Sequence, residues 1–478
     1  MLVSNLFRLN AMKNTFGILM ISLTSWSAGF SAQAQEPNRL LDREFWRNQP
    51  SLEMVQGRIQ AGDDATALDR YDFDALSWAL IEDAPVDILR HLLTLEGNDV
   101  NKLTHDARTY VFWAAYRDNL TFVKELHDLG ADLSIVDEHG YSLLNFAAVT
   151  GQTNKELYQY LKQHGADPSN EFNHDGAHAL LLVAPFLQDG DLVQFFEESG
   201  LSLSDKDKHG ASGFLYACKG GNVEFLRGLV AEGTDGGSVD HVGRNGAHYA
   251  AMSTRRRTNG VEVFSLLHEF GLRLDLADDK GVTPLMIYVQ GKSEPDGLAF
   301  LAGHTENLNA LDKSGYSAMH HALASGNPED VQGLIDAGWK SNPAMFKSES
   351  LVRALASNYA SKNHDAFMSK IQMLRAEGVN SNQLLEGGES WFHLGARTQS
   401  LELLKFAALQ RLEINQVSEE GMTPLLEACL TATSLDVLNW LVSVGADVEQ
   451  TTPFGETAHD LAMENEALVS MDLEFLKP

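Results

Sequence analysis

The groups in this chain best suited to do chemistry are its two cysteines, Cys218 and Cys429, and a subset of its 17 histidines. Each cysteine follows an alanine at the same place in a recurring pattern. A disulfide needs its Cα atoms within about 7 Å, and two equivalent places many units apart in a stack cannot come that close. Both thiols therefore read as small buried apolar side chains. Three catalytic fragments are present and each is broken. Gly291-Lys292-Ser293 ends like a phosphate loop, but Met286 stands where the upstream glycine is required. His268-Glu269 opens a zinc-helix motif whose second histidine is replaced by Leu272. Gly315-Tyr316-Ser317 runs on to Met319, which leaves no nucleophile elbow. No catalytic residue, cofactor or metal site is assigned, and a non-catalytic protein is expected.

The histidines divide by position. His248, His320 and His393 occupy one slot of the recurring pattern, where a ring is expected to hydrogen-bond neighbouring turns. His105, His139, His174, His209 and His241 fall one or two residues before a turn, one in each of five successive units. They read either as polar residues tolerated at loop tips or as a contact strip whose charge rises as pH falls towards 6.

The elements that position these groups follow from internal repetition. Asp137-Glu138-His139-Gly140-Tyr141-Ser142-Leu143-Leu144, Asp240-His241-Val242-Gly243, Asp278-Asp279-Lys280-Gly281-Val282-Thr283-Pro284-Leu285, Asp312-Lys313-Ser314-Gly315 and Glu420-Gly421-Met422-Thr423-Pro424-Leu425 are copies of one pattern. Gly130-Ala131-Asp132, Gly165-Ala166-Asp167 and Gly445-Ala446-Asp447 close its second half. Placing the turn at Asp72, Ala107, Gly140, Gly176, Gly210, Gly243, Gly281, Gly315, Lys347, Gly388, Gly421 and Gly455 gives spacings of 32–36 residues, apart from one of 38 and one of 41. The copies at Asp72, Ala107 and Lys347 rest on spacing and on an alanine seven residues later.

Each part of the pattern has a physical role. Glycine takes the positive φ of the turn, Thr or Ser caps the first helix, and proline fits its first turn. A second helix follows with apolar residues at helical spacing, as in Phe122, Val123, Leu126 and Leu129. Such a unit has apolar surface on both sides and hides it only by stacking.

The pattern resembles the ankyrin repeat, with its Asp-x-x-Gly-x-Thr-Pro-Leu-His-x-Ala-Ala motif and Gly-Ala-Asp ending. The resemblance spans roughly residues 40–478 and implies an all-α ankyrin-repeat solenoid of about 12 helix-turn-helix repeats with short β-hairpin or loop fingers. It also implies a scaffold that binds protein along its concave fingers and inner helices. On that basis the candidate contact residues are the finger tips Asp137, Glu138, His139, Tyr141, His174, Asp175, His209, His241, Arg244, Lys280 and Lys313.

The two long spacings mark insertions. One carries Arg255-Arg256-Arg257, which reads as a solvated loop or as a dock for an acidic partner or a lipid phosphate. The other, Ser357 to His364, reads as a longer inter-helix loop where curvature can change.

At the start, Met12-Lys13, the apolar run Phe16 to Leu23 and Ala32-Gln33-Ala34 form the three-part pattern of a secretory signal. The expected organisation is a signal peptide at 1–34, with Met12 as an alternative start, a capping unit at 35–68, the array at 69–451 and a closing unit at 452–478. With 66 acids against 36 bases the formal charge is −30, which argues against nucleic acid, whose binding rests on basic side chains. The expectation is a monomeric periplasmic scaffold for another protein, without stable membrane insertion and possessing no cofactor, that serves as accessory to an enzyme. The competing reading is a secreted effector that acts by binding a host or competitor protein.

Overall fold

The computed structural model describes residues 37–291, 293–342, 344 and 348–478. The expected signal segment and the turn at Lys347 lie outside the described residues. Among those described are 25 α-helices and six short 3-10 helices, with no strand longer than a single bridge. Twelve short inner helices alternate with longer outer ones, from the pair Ala75–Ile81 and Val86–Leu93 to the inner helix Ala458–Glu464. The fold is an all-α ankyrin-repeat solenoid. Its fingers pair only through isolated bridges such as Val136 with Ser142 and Lys206 with Ser212.

Eleven of the twelve turn positions are described, and all have positive φ, between 58° and 86°. Asp72 and Ala107 adopt this conformation without being glycine. Stacking therefore imposes the turn even where the local sequence disfavours it.

The inner helices are nearly all apolar and buried, as in Tyr110 to Ala115, because a neighbour covers them on either side. Their starts show how the motif works. Thr283 and Thr423 accept from Met286 and Leu426 N–H, and Pro284 and Pro424 occupy the first turn. Their C-terminal carbonyls are taken up by the following repeat. Asn259 Nδ2 donates to Cys218 O and Lys219 O at 3.3 and 3.0 Å, and Asn465 Nδ2 to Cys429 O and Ala432 O at 3.0 and 2.8 Å. Lys370 Nζ does the same for Ala322 and Leu323. The thiols of Cys218 and Cys429 are free and buried.

The insertion Ser253–Asn259 joins helices Gly246–Met252 and Val261–Glu269, and buried Asn259 fastens it while Arg255, Arg256 and Arg257 remain exposed. In the longer insertion a 3-10 turn, Ser361–Asn363, leads into the 13-residue outer helix His364–Ala376. Inner-helix packing is thinnest just after it, between Ser348–Ala356 and Trp391–Arg397. Side chains carry that junction: Tyr359 Oη lies 2.6 Å from Ser400 Oγ, and Phe367 meets the Trp391 ring edge-on at 5.4 Å.

His248, His320 and His393 are fully buried, and each accepts at Nδ1 from the backbone N–H of its own helix cap. Through Nε2 they reach the next repeat, at Val282 O, Ser350 Oγ and Met422 O, 3.0–3.1 Å away. Asn145 fills the same slot in an earlier repeat with a shorter side chain, and both its amide atoms are buried without a hydrogen-bond partner. Asn145→His should complete the missing bonds and stabilise the protein by about 1 kcal/mol, read as a higher urea midpoint.

Burial pushes the His248 and His320 imidazoles down to about 4 and lowers that of His393 as well. A depressed folded-state pKa means the unfolded chain binds the proton more readily. This stability is fully present above pH ~6.5 and is lost as pH falls towards ~4, by up to roughly 3 kcal/mol for each of the first two rings. The urea midpoint should therefore be flat near neutrality and fall across that window. A midpoint that does not move there would contradict neutral buried rings.

Candidate protein-binding surface

Six of the eleven described fingers are built around an acid three residues before the turn; in three others Asn173, Ser418 and Thr452 stand there and accept backbone N–H with a neutral side chain. One oxygen of Asp69, Asp137, Asp207, Asp240, Asp278 and Asp312 accepts the backbone N–H groups two and four residues ahead at 2.7–3.0 Å. The other oxygen anchors the finger to its surroundings. In four fingers the anchor lies nine residues on, in the inner helix: Trp78, Tyr216, Tyr249 or His321. In the other two it is an arginine of the preceding finger, Arg108 for Asp137 and Arg244 for Asp278. Burial raises the Asp278 carboxyl's pKa, but the bonds from Val282 N–H, Arg244 and Lys280 N–H outweigh it and the net shift is downward.

Neighbouring fingers are tied by backbone bonds at one position. Glu138 N donates to Asp106 O, Lys208 N to Asp175 O, His241 N to His209 O, Asp279 N to Val242 O, and Lys313 N to Lys280 O, at 2.7–3.1 Å. His105 makes the equivalent tie with its ring, Nδ1 lying 2.8 Å from Tyr71 O. His174 lies over Gly140, where a Cβ would strike its ring.

The expected contact residues thus separate into two groups. Glu138, His139, His174, Asp175, His209, His241, Lys280 and Lys313 are exposed along the finger tips. Asp137 was expected among them and is instead buried at 5 %, because its carboxylate is consumed in holding the finger. Tyr141 is half-buried against the core, and Arg244 is half-buried with its guanidinium on Asp278 at 2.9 Å. The histidines do not stand as an open row. His105 and His139 both reach Asp106, at 3.4 and 3.2 Å, and His209 reaches Asp175 at 3.2 Å. Protonation would turn these contacts into ion pairs between side chains of the array itself.

Two features escaped the sequence reading. Arg108 clamps Asp106 and Asp137 at 2.9 and 2.7 Å while lying 4.6 Å over the Phe146 ring. The second is a row of exposed apolar side chains four residues before the turn: Leu68, Leu103, Val136, Phe172, Val239, Leu311, Leu384 and Val417, each 37–56 % exposed. The first four belong to successive repeats, and Lys206, Ala277 and Thr451 interrupt the row further on. Their regular offset from the turn was the available signal, but an isolated Val or Leu in a loop reads as core until the finger shows which way it faces.

Among the described residues no three His, Cys, Asp or Glu side chains converge as metal ligands, and no helix is long and apolar enough to cross a membrane.

Residues 76–171 match the family model for ankyrin repeats, in three copies. The matched segment carries ankyrin repeats, and the rest of the array continues the same pairing of inner and outer helices. The chain is 30% identical over 222 residues to the mouse B-cell lymphoma 3 protein homolog, covering 44% of this chain and 48% of that one. It is 26% identical over 172 residues to an IkB-like protein of African swine fever virus, covering 32% of this chain and 67% of that one. An L-asparaginase of Dirofilaria immitis matches at 26% over 145 residues, covering 30% of this chain but only 24% of the enzyme. The chain spans about half the length, or less, of the first curated relatives it matches.

Removing the Asp137 carboxylate should unpin one finger and leave Arg108 half-paired. Asp137→Ala is expected to cost about 3 kcal/mol, whereas Asp137→Asn, which keeps the acceptor for both N–H groups, should cost about half as much. Urea unfolding followed by tryptophan fluorescence checks both.

Proposed function

We propose that this protein is an exported, non-catalytic scaffold that grips a second protein along its fingers and inner helices, working in the periplasm as accessory to an enzyme. The observation that carries the binding surface is the apolar row. Soluble proteins rarely leave contiguous apolar surface in water unless something covers it. Leu68, Leu103, Val136 and Phe172 recur once per repeat, in fingers that carry charged tips such as Glu138 and Asp175. Apolar side chains flanked by polar ones match the layout of a protein interface, whose core is apolar and whose rim is polar. Because neighbouring fingers are hydrogen-bonded to each other, the surface is largely formed before the partner arrives, and little ordering entropy is spent on binding. Export is read from residues 1–34, and the working unit is taken to be one chain.

The test is capture of a crosslinked partner from periplasmic extract by the tagged chain, alongside a variant carrying Leu103→Ser, Val136→Ser and Phe172→Ser. These side chains are exposed, so the variant should melt close to the native protein while losing the captured protein by about tenfold or more. Equal capture by both would remove the row from the binding surface. Recovery of the protein from the medium, with nothing captured from periplasm, would favour an exported effector instead.

A further inference from the structure

Away from the fingers, outer helices Asp191–Glu197 and Val223–Ala231 stand apart and leave a groove of about 740 Å³. Its floor is apolar, with Val193, Leu203, Phe225 and Leu229. Asp189, Glu197, Glu224, Glu232 and Asp235 line its rim, all exposed and none ion-paired within the described residues. Lys206 is the only lysine or arginine in the lining. Elsewhere in the array carboxylates near a cation use it, as Glu125 uses Arg90 and Glu377 uses Lys340. Here five like charges share a concave site with Lys206 as the one lysine or arginine in the lining, and the net charge focuses a negative potential over an apolar floor.

Gly228 is a second, independent observation. It lies inside the helix Val223–Ala231, where glycine is a poorer choice than alanine, yet a Cβ at this position would meet nothing within 4 Å. Packing inside the chain does not require the glycine. What its missing side chain leaves is room in the groove, since Gly228 is part of the lining.

We infer that this groove is a second docking site, for a short amphipathic helix of another protein with lysine or arginine on both flanks of a leucine-like face. The apolar face covers Val193, Phe225 and Leu229, and the cations meet the rim carboxylates. A helix of about nine residues, ~13 Å long, matches the wall formed by Val223–Ala231. No three ligating groups converge there on an ion, so the charge pattern suits a basic peptide better than a metal.

The experiment uses the full chain and a fluorescein-labelled helical peptide of leucine and lysine, about 12 residues or ~18 Å long. Anisotropy titration should show binding that weakens with added salt. Gly228→Met, which fills the groove at a position free of contacts, should weaken it about tenfold, and a Glu197→Gln, Glu224→Gln, Glu232→Gln variant by at least as much. The finger variant Val136→Ser, Phe172→Ser should bind the peptide as the native chain does, which separates this site from the finger surface. Melting curves confirm that each variant is folded. The proposal is overturned if folded Gly228→Met binds the peptide as the native chain does, if a glutamate-for-lysine peptide binds equally well, or if the lysine peptide does not bind.

Discussion

The array depends on a carboxylate that holds backbone. A finger is a tight excursion whose N–H groups have no helix or sheet to satisfy them, and each one left without a partner away from water costs about 1–3 kcal/mol. Asp137, Asp207, Asp240, Asp278 and Asp312 solve this with one oxygen and use the other to fasten the finger to a helix or to its neighbour. The glycine three residues later completes the turn, and two residues on a Thr, Ser or Asn stands at the N-cap of the inner helix. Where Asn173, Ser418 or Thr452 replaces the acid, its side-chain oxygen still accepts a backbone N–H of the finger, and the inner helices stack there as well.

Rigidity and recognition are linked through the same bonds. Backbone ties between fingers, the Arg108 clamp and the buried histidines that reach from one repeat to the next make the array a continuous body. The apolar row rides on these fingers and inherits their order. Near Tyr359 and Trp391, among the described residues, bulky side chains join one repeat to the next: Tyr359 meets Ser400 and Phe367 meets Trp391. The outer helices are less constrained than the inner ones, which is why a groove can open between Asp191–Glu197 and Val223–Ala231 without disturbing the inner stack.

Much of the fold was legible because repetition multiplies weak signals. Asp72 and Ala107 carry little of the motif, yet spacing and an alanine seven residues later placed them at turns, and both have positive φ. The capping histidines were legible for the same reason, since their slot recurs. The candidate surface was only partly legible. Asp137 looked like an exposed acid because acids usually are, and the reading could not see that its oxygens were already committed to Tyr141 N–H, His139 N–H and Arg108. Nor could it tell that His105 and His139 share Asp106, since that contact crosses between repeats.

The sequence by itself determined the class of fold, the phase of the repeats and the net acidic charge of the chain. These depend on residue type and spacing, which are local or periodic properties of the chain. Tertiary structure decided which finger residues face water, that an apolar row runs along the fingers, that Asn145 is left without partners, and that a groove lies between two outer helices. Each of these is settled by the neighbouring repeat, roughly 34 residues away, through contacts that no local pattern encodes.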